Sequence, residues 1–180
     1  MNRAVFLDRD GVLTRAILRQ GKAYAPVTPS EMEIDSDAPA ALARLKAAGF
    51  LLIAVTNQPD VARGITRLAD VHAMHAVLRA ALPLDAVFAC FHDDSDACPC
   101  RKPRPGMLLQ AAAAHAIDLA QSFMVGDRWR DVDAGAAAGC RTIWIDRRYD
   151  ERAPAHPPHA RVDSLRAAVE WILTHDTHTL

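Results

Sequence analysis

The chain has 180 residues, 51% of them apolar and 24% charged, with a formal net charge of −1. This is the profile of one soluble globular domain that folds without staples. The near-neutral charge gives no electrostatic footprint for nucleic acid or an anionic membrane, no apolar run reaches the roughly 18 residues of a membrane helix, and the N-terminal stretch lacks the pattern of a signal peptide, so the reading is cytoplasmic.

Ala4–Leu7 reads as a buried strand that runs into Asp8-Arg9-Asp10-Gly11. Side chains alternate along a strand, so Asp8 and Asp10 point the same way. A loop rich in Gly, Pro and Thr follows to about Pro29. Ser36-Asp37-Ala38-Pro39 opens a helix, with Ser36 or Asp37 as N-cap and Pro39 in the first turn, and Gly49 closes it. Phe50–Val55 is a second strand, ending in Thr56-Asn57-Gln58-Pro59. Thr66 is placed to cap a further helix whose apolar stripe includes Leu68, Val71, Met74, Val77, Leu78 and Leu82. Ala86–Phe91 is the third strand, and an irregular segment runs from His92 to Pro105. A helix over Gly106–Ala116, a strand over Phe123–Val125, a helix over Trp129–Ala138 stopped by Gly139, and a strand over Arg141–Ile145 follow. Ser164–Leu173 forms the last helix, and the tail after about Thr174 reads as polar and frayed. His156, His159, His175 and His178 show no ligand spacing. The alternation predicts an α/β fold: one parallel sheet with helices on both faces, the whole chain a single domain.

Four strand ends carry polar residues of a related kind: Asp8 and Asp10; Thr56 and Asn57; Arg101 and Lys102; Asp127 and Arg128, with Asp131 beyond. In a parallel sheet these ends gather at one edge, where ligands bind. Singly, each is also a turn, a cap or a solvated charge. Together they supply carboxylates for a hard cation such as Mg²⁺, a nucleophile, an acid/base, and a hydroxyl, an amide and an ammonium for a phosphoryl group.

The set Asp8-Arg9-Asp10-Gly11, Thr56-Asn57, Lys102 and Gly126-Asp127 with Asp131 resembles the phosphatase branch of the haloacid dehalogenase (HAD) superfamily, from Ala4 to about Ile145. The resemblance implies a Rossmann-like core and an aspartyl-phosphate intermediate. It makes Asp8 the nucleophile and Asp10 the acid/base. It places Mg²⁺ on Asp8, the main-chain carbonyl of Asp10, and Asp127. Thr56, Asn57 and Lys102 would hold the phosphoryl group. Val12, where many members have Thr, and a single Asp after Gly126, where others have two, are departures that remove no reacting group.

Cys90, His92, Cys98 and Cys100 form a C-x-H-x5-C-x-C pattern, which suits a closed structural zinc site. The loop over residues 90–100 runs directly into Arg101 and Lys102, so zinc would steady the lysine. Cys140 reads as a packing residue. A zinc loop followed by Arg-Lys-Pro resembles the HAD subgroup that acts on heptose bisphosphate or histidinol phosphate. Asp8-Arg9-Asp10-Gly11, Ala62-Arg63-Gly64 and Arg101–Leu108 favour the former, the short gap between His92 and Cys98 the latter. Arg101 and Arg128 would select the substrate, and Arg63 is a further candidate. The partner expected is a small phosphorylated metabolite, and the enzyme is expected to be a monomer. A non-catalytic zinc-loop binding module is the alternative from another class. Too few residues separate Leu13 from Ser36 for a large cap domain, so selectivity falls to loops Thr14–Pro29 and Gln58–Ile65 and the zinc loop, with Gly21–Tyr24 at the entrance.

Overall fold

A computed structural model describes residues 1–176; His178 lies outside them. The chain runs β1 (Ala4–Leu7), β2 (Ile17–Arg19), β3 (Lys22–Tyr24), α1 (Ala38–Ala47), β4 (Leu51–Asn57), α2 (Leu68–Ala81), β5 (Ala86–Cys90), α3 (Gly106–His115), β6 (Phe123–Gly126), α4 (Trp129–Ala138), β7 (Arg141–Ile145), β8 (Ala160–Val162) and α5 (Leu165–Thr174).

Six strands form one sheet in the order β5-β4-β1-β6-β7-β8, every pairing parallel. Counted among themselves, these strands stand 3-2-1-4-5-6, the doubly wound order whose direction reverses between β1 and β6. Period-two alternation splits the core in two. Val5 and Leu7 join Leu42 and Leu45 of α1 and Val169 and Ile172 of α5 on one face. Ala4 and Phe6 join Met107 and Leu108 of α3 and Ala134 of α4 on the other. Burying each of the larger side chains contributes roughly 1.5–3 kcal/mol.

Local signals explain most element ends. After α1, Gly49 adopts φ +84° while its N–H bonds Lys46 O and that of Phe50 bonds Leu45 O, a pattern that uses the last helical carbonyls. Ser164 caps α5 through its hydroxyl to Ala167 N. Other expectations are corrected. Asp37 occupies the N-cap of α1 but makes no capping bond, and α2 is entered from Arg67 rather than Thr66. Leu68 and Val77 lie on its exposed side, so the buried stripe is narrower than the apolar pattern. The loop after β1 contains the β2–β3 hairpin, and a sixth strand, β8, precedes α5. Both were missed because their three-residue strands are half-exposed and carry Lys, Arg and Gln around them. The tail is not frayed as far as it is described: Asp176 pairs with Arg3, and His175 stacks on Trp171.

Candidate active site

Asp8, Thr56, Lys102 and Asp131 converge at the carboxyl edge of the sheet, around the point where strand order reverses. Lys102 is the hub. Its Nζ donates to Asp8 Oδ1 (2.8 Å) and Val55 O (2.8 Å) and lies 2.6 Å from Asp131 Oδ1. Two hydrogen bonds and one ion pair thus fix the ammonium at the floor of the site. Burial alone would lower the lysine pKa; the charges of Asp131 and Asp8 outweigh it and hold the pKa above its ordinary value. The lysine backbone is fixed as well. Asn57 Nδ2 donates to Lys102 O (3.0 Å), and Lys102 N donates to Asn57 Oδ1 (3.1 Å). The Asn57 side chain therefore holds the lysine in place.

Asp8, Asp127 and Asp131 are buried with one carboxylate oxygen each inside 4.8 Å of the others. Burial and the neighbouring Asp131 raise the Asp8 pKa to about 7, with Lys102 opposing. Burial first, then Asp8 and Asp131, push Asp127 well above the carboxylate range. Tyr149 Oη donates to Asp127 Oδ2 at 2.7 Å. Asp127 Oδ1 is the one buried side-chain polar atom among the described residues without a partner. An orphaned carboxylate oxygen in an all-oxygen, strongly negative cluster fits a hard divalent cation. Gly126 leaves room for the Asp131 side chain: a β-carbon there would lie 2.0 Å from Asp131 Cβ.

Asp10 stands apart from that cluster. Both of its oxygens accept from Arg9 at 2.9 Å, and Gln58 Nε2 (2.9 Å) and Thr14 Oγ1 (3.2 Å) also donate to it. Gln58 Nε2 donates to Thr56 Oγ1 as well (2.9 Å).

Cys90, His92, Cys98 and Cys100 come together in one cluster. Cys90, Cys98 and Cys100 Sγ and His92 Nδ1 lie 3.0–3.6 Å apart where they contact. Three thiols and an imidazole this close could share one metal ion, and that donor set suits tetrahedral zinc. The loop is tied to α3 by Gly106 N to Pro99 O (3.1 Å), at a glycine whose β-carbon would meet that oxygen at 2.3 Å.

Above the carboxylates opens a cavity of about 440 Å³, lined by Lys22 and Tyr24 of the hairpin and by Arg63, Arg101, Arg128 and Arg130. Acidic residues hold the arginines. Asp94 Oδ1 accepts from Arg101 Nε (2.8 Å) and Arg130 Nη1 (3.1 Å), Asp93 pairs with Arg63 (2.5 Å), and Glu151 takes Arg128.

The model of the HAD-hydrolase-like family matches residues 99–168. The chain is 37% identical to D-glycero-beta-D-manno-heptose-1,7-bisphosphate 7-phosphatase of Bordetella bronchiseptica, over 95% of this chain and 98% of that one. It is 31% identical to the enzyme of the same name from Helicobacter pylori, over 95% and 97%. The chain belongs to the HAD-like phosphatases.

The fold agrees. A crystal structure of the D,D-heptose 1,7-bisphosphate phosphatase from B. bronchiseptica, complexed with magnesium and phosphate, superposes with a TM-score of 0.80 at 32% identity, covering 96% of this chain and 98% of that one. The corresponding enzyme from Burkholderia thailandensis gives 0.67 at 29% identity, covering 96% and 99%. Several residues of this HAD-like phosphatase site escaped sequence reasoning. Arg130 was hidden inside a helix pattern. Tyr149 and Glu151 lie in an irregular segment with no motif. His75 stands in α2 with no motif around it. Asp131 was visible only by its distance from Asp127, with nothing to show that it locks Lys102.

Proposed function

We propose that this phosphatase hydrolyses a small sugar bisphosphate, D-glycero-D-manno-heptose 1,7-bisphosphate, to the heptose monophosphate. The observation that carries the reading is the contact of Lys102 Nζ with Asp8 and Asp131 at the floor of a cavity whose mouth bears four arginines. One phosphoryl group fits the floor, and the arginines suit a second phosphate or the hydroxyls of a sugar.

Asp8 Oδ attacks phosphorus in line with the leaving sugar oxygen. As the Oδ–P bond forms and the P–O bond breaks, Asp10 gives its proton to that oxygen. Asp10 then takes a proton from water, which attacks the aspartyl phosphate and releases inorganic phosphate. Lys102 and Thr56 hold the phosphoryl oxygens, and Asn57 keeps Lys102 aimed. Asp8 and Asp127, with the main chain of Asp10, would hold Mg²⁺. When bound there it neutralises charge on Asp8 and on the transferred group. Zinc on Cys90, His92, Cys98 and Cys100 serves structure alone. The enzyme acts as a cytoplasmic monomer on a soluble metabolite, without nucleic acid or membrane. In support, no described helix is long and apolar enough to cross a membrane.

The deciding experiment is a phosphate-release panel with Mg²⁺ over sugar mono- and bisphosphates and histidinol phosphate. A clear kcat/KM preference for the heptose bisphosphate is expected. Preference for histidinol phosphate would move the enzyme to the other branch of its subgroup. No release from any ester would restore the reading as a zinc-loop binding module.

A further inference from the structure

We infer that Arg9 and His75 are positioning residues for the proton that Asp10 transfers: Arg9 grips the Asp10 carboxylate, and His75, on α2, grips Arg9. The inference rests on the proposed role of Asp10 as acid and base.

Arg9 is the middle residue of the D-x-D motif, and alternation sends its side chain away from its two neighbours as the strand ends. Nevertheless the chain turns sharply, with Arg9 O accepting from the amides of Leu13 and Thr14 at 2.9 Å, and the guanidinium folds back under Asp10. The Arg9 side chain is wholly buried. Its Nε and Nη2 donate to the two oxygens of Asp10 at 2.9 Å each, the fork that fixes the plane of a carboxylate as well as its position. The remaining nitrogen, Nη1, lies 3.3 Å from His75 Nε2. Burial, followed by the charge of Arg9, lowers the His75 pKa to about 4, so at neutral pH the ring is uncharged and Nε2 accepts from Arg9. Each of the three guanidinium nitrogens therefore has a partner, two on the acid and one on a helix outside the motif.

A proton donor works only along a fixed line to the leaving oxygen, and small misplacements cost rate steeply. Asp10 sits on a loop at the cavity floor, where a free carboxylate would sample several rotamers. The Arg9 fork, with the single bonds from Gln58 and Thr14, removes that freedom, and His75 stops Arg9 from swinging with it.

The test compares two substrates of the same enzyme. An alkyl phosphate needs a proton on its leaving oxygen; p-nitrophenyl phosphate departs as a stable phenolate without one. kcat/KM covers the steps through departure of that first group, so water activation does not enter it. Asp10→Asn is the reference. Arg9→Lys and Asp10→Asn should each lower kcat/KM on the alkyl phosphate by about 10²-fold, with a fall of less than about 5-fold on the aryl ester. His75→Ala should show the same selectivity at about 10-fold, and His75→Gln, whose amide oxygen can accept from Arg9, should recover most of it. If Arg9→Lys does not fold, the half-buried His75 pair still decides. Selective loss in Asp10→Asn together with equal losses on both esters in His75→Ala, or with no loss there, overturns the inference alone. Absence of selectivity in Asp10→Asn brings down the acid assignment, and the inference with it.

Discussion

A β-carbon on Gly11 would lie 1.8 Å from Asp127 Oδ2. The glycine of the first motif thus makes room for the aspartate of the last, across the boundary between β1 and β6. Its φ of +97° is a second reason no other residue fits. Gly11→Ala should leave a folded protein with kcat/KM reduced by at least about 10²-fold, because Asp127 must move. Circular dichroism with a steady-state assay checks both parts.

Asp8→Asn should abolish phosphate release while the fold persists. Asp8 is one of three crowded buried carboxylates, so neutralising it relieves repulsion even as it weakens the hold on Lys102. The metal-free variant should melt within roughly 3 °C of the parent, the shift of about 1 kcal/mol for a domain of this size. Undiminished turnover would refute the covalent route.

Tyr149→Phe removes the donor to Asp127 Oδ2 and leaves that oxygen with no proton to accept. Loss of such a supporting bond should weaken Mg²⁺ binding by about 10-fold or more. Calorimetric titration with Mg²⁺ alone measures this apart from activity. An unchanged affinity would show that Tyr149 does not orient the metal carboxylate.

Purified protein should contain one tightly held zinc, and Cys98→Ser should lose it. Lys102 follows the zinc loop directly, so the variant should lose roughly 10-fold or more in kcat/KM through misplacement of the lysine, along with thermal stability. Full activity in protein shown by metal analysis to lack zinc would end the structural-zinc reading.

His75 carries a pH signature. Its folded-state pKa of about 4 lies below the ordinary 6.5 because of burial and Arg9, with His72 adding and Asp10 opposing. The unfolded chain therefore takes up a proton first as pH falls. The contribution to stability is complete above 6.5 and is lost as pH drops toward about 4, so this term rises with pH. The raised pKa values of Asp8 and Asp127 act in the opposite sense in metal-free protein, so the contrast with His75→Gln isolates the effect. Urea unfolding of both proteins between pH 4 and 7 should show a smaller acid loss in the variant.

The legible parts of the site were those that sit at the ends of apolar runs. Asp8, Asp10, Thr56, Lys102 and Asp127 each follow such a run or a recognisable loop, and parallel topology brings them together. The cysteine spacing was legible for a different reason: metal donors must be close, and short intervals bring them close. Other groups were illegible because they act through contacts formed far along the chain. Nothing in the order of residues says that His75 reaches Arg9, that Tyr149 returns to Asp127, or that Asp94 holds two arginines. The hairpin and β8 were hidden because short, half-exposed strands carry no periodic pattern long enough to read.

The contacts of Lys102 with two carboxylates also bear on the order in which the site can assemble. Asp8 lies 94 residues before the lysine, and Asp131 follows it from a helix beyond β6. Contacts of such separation form late, since each long loop must close before it is rewarded. A nascent chain that ends before α4 holds its nucleophile and its lysine without the second carboxylate that sets them. Phosphate release should therefore wait until α4 has been made.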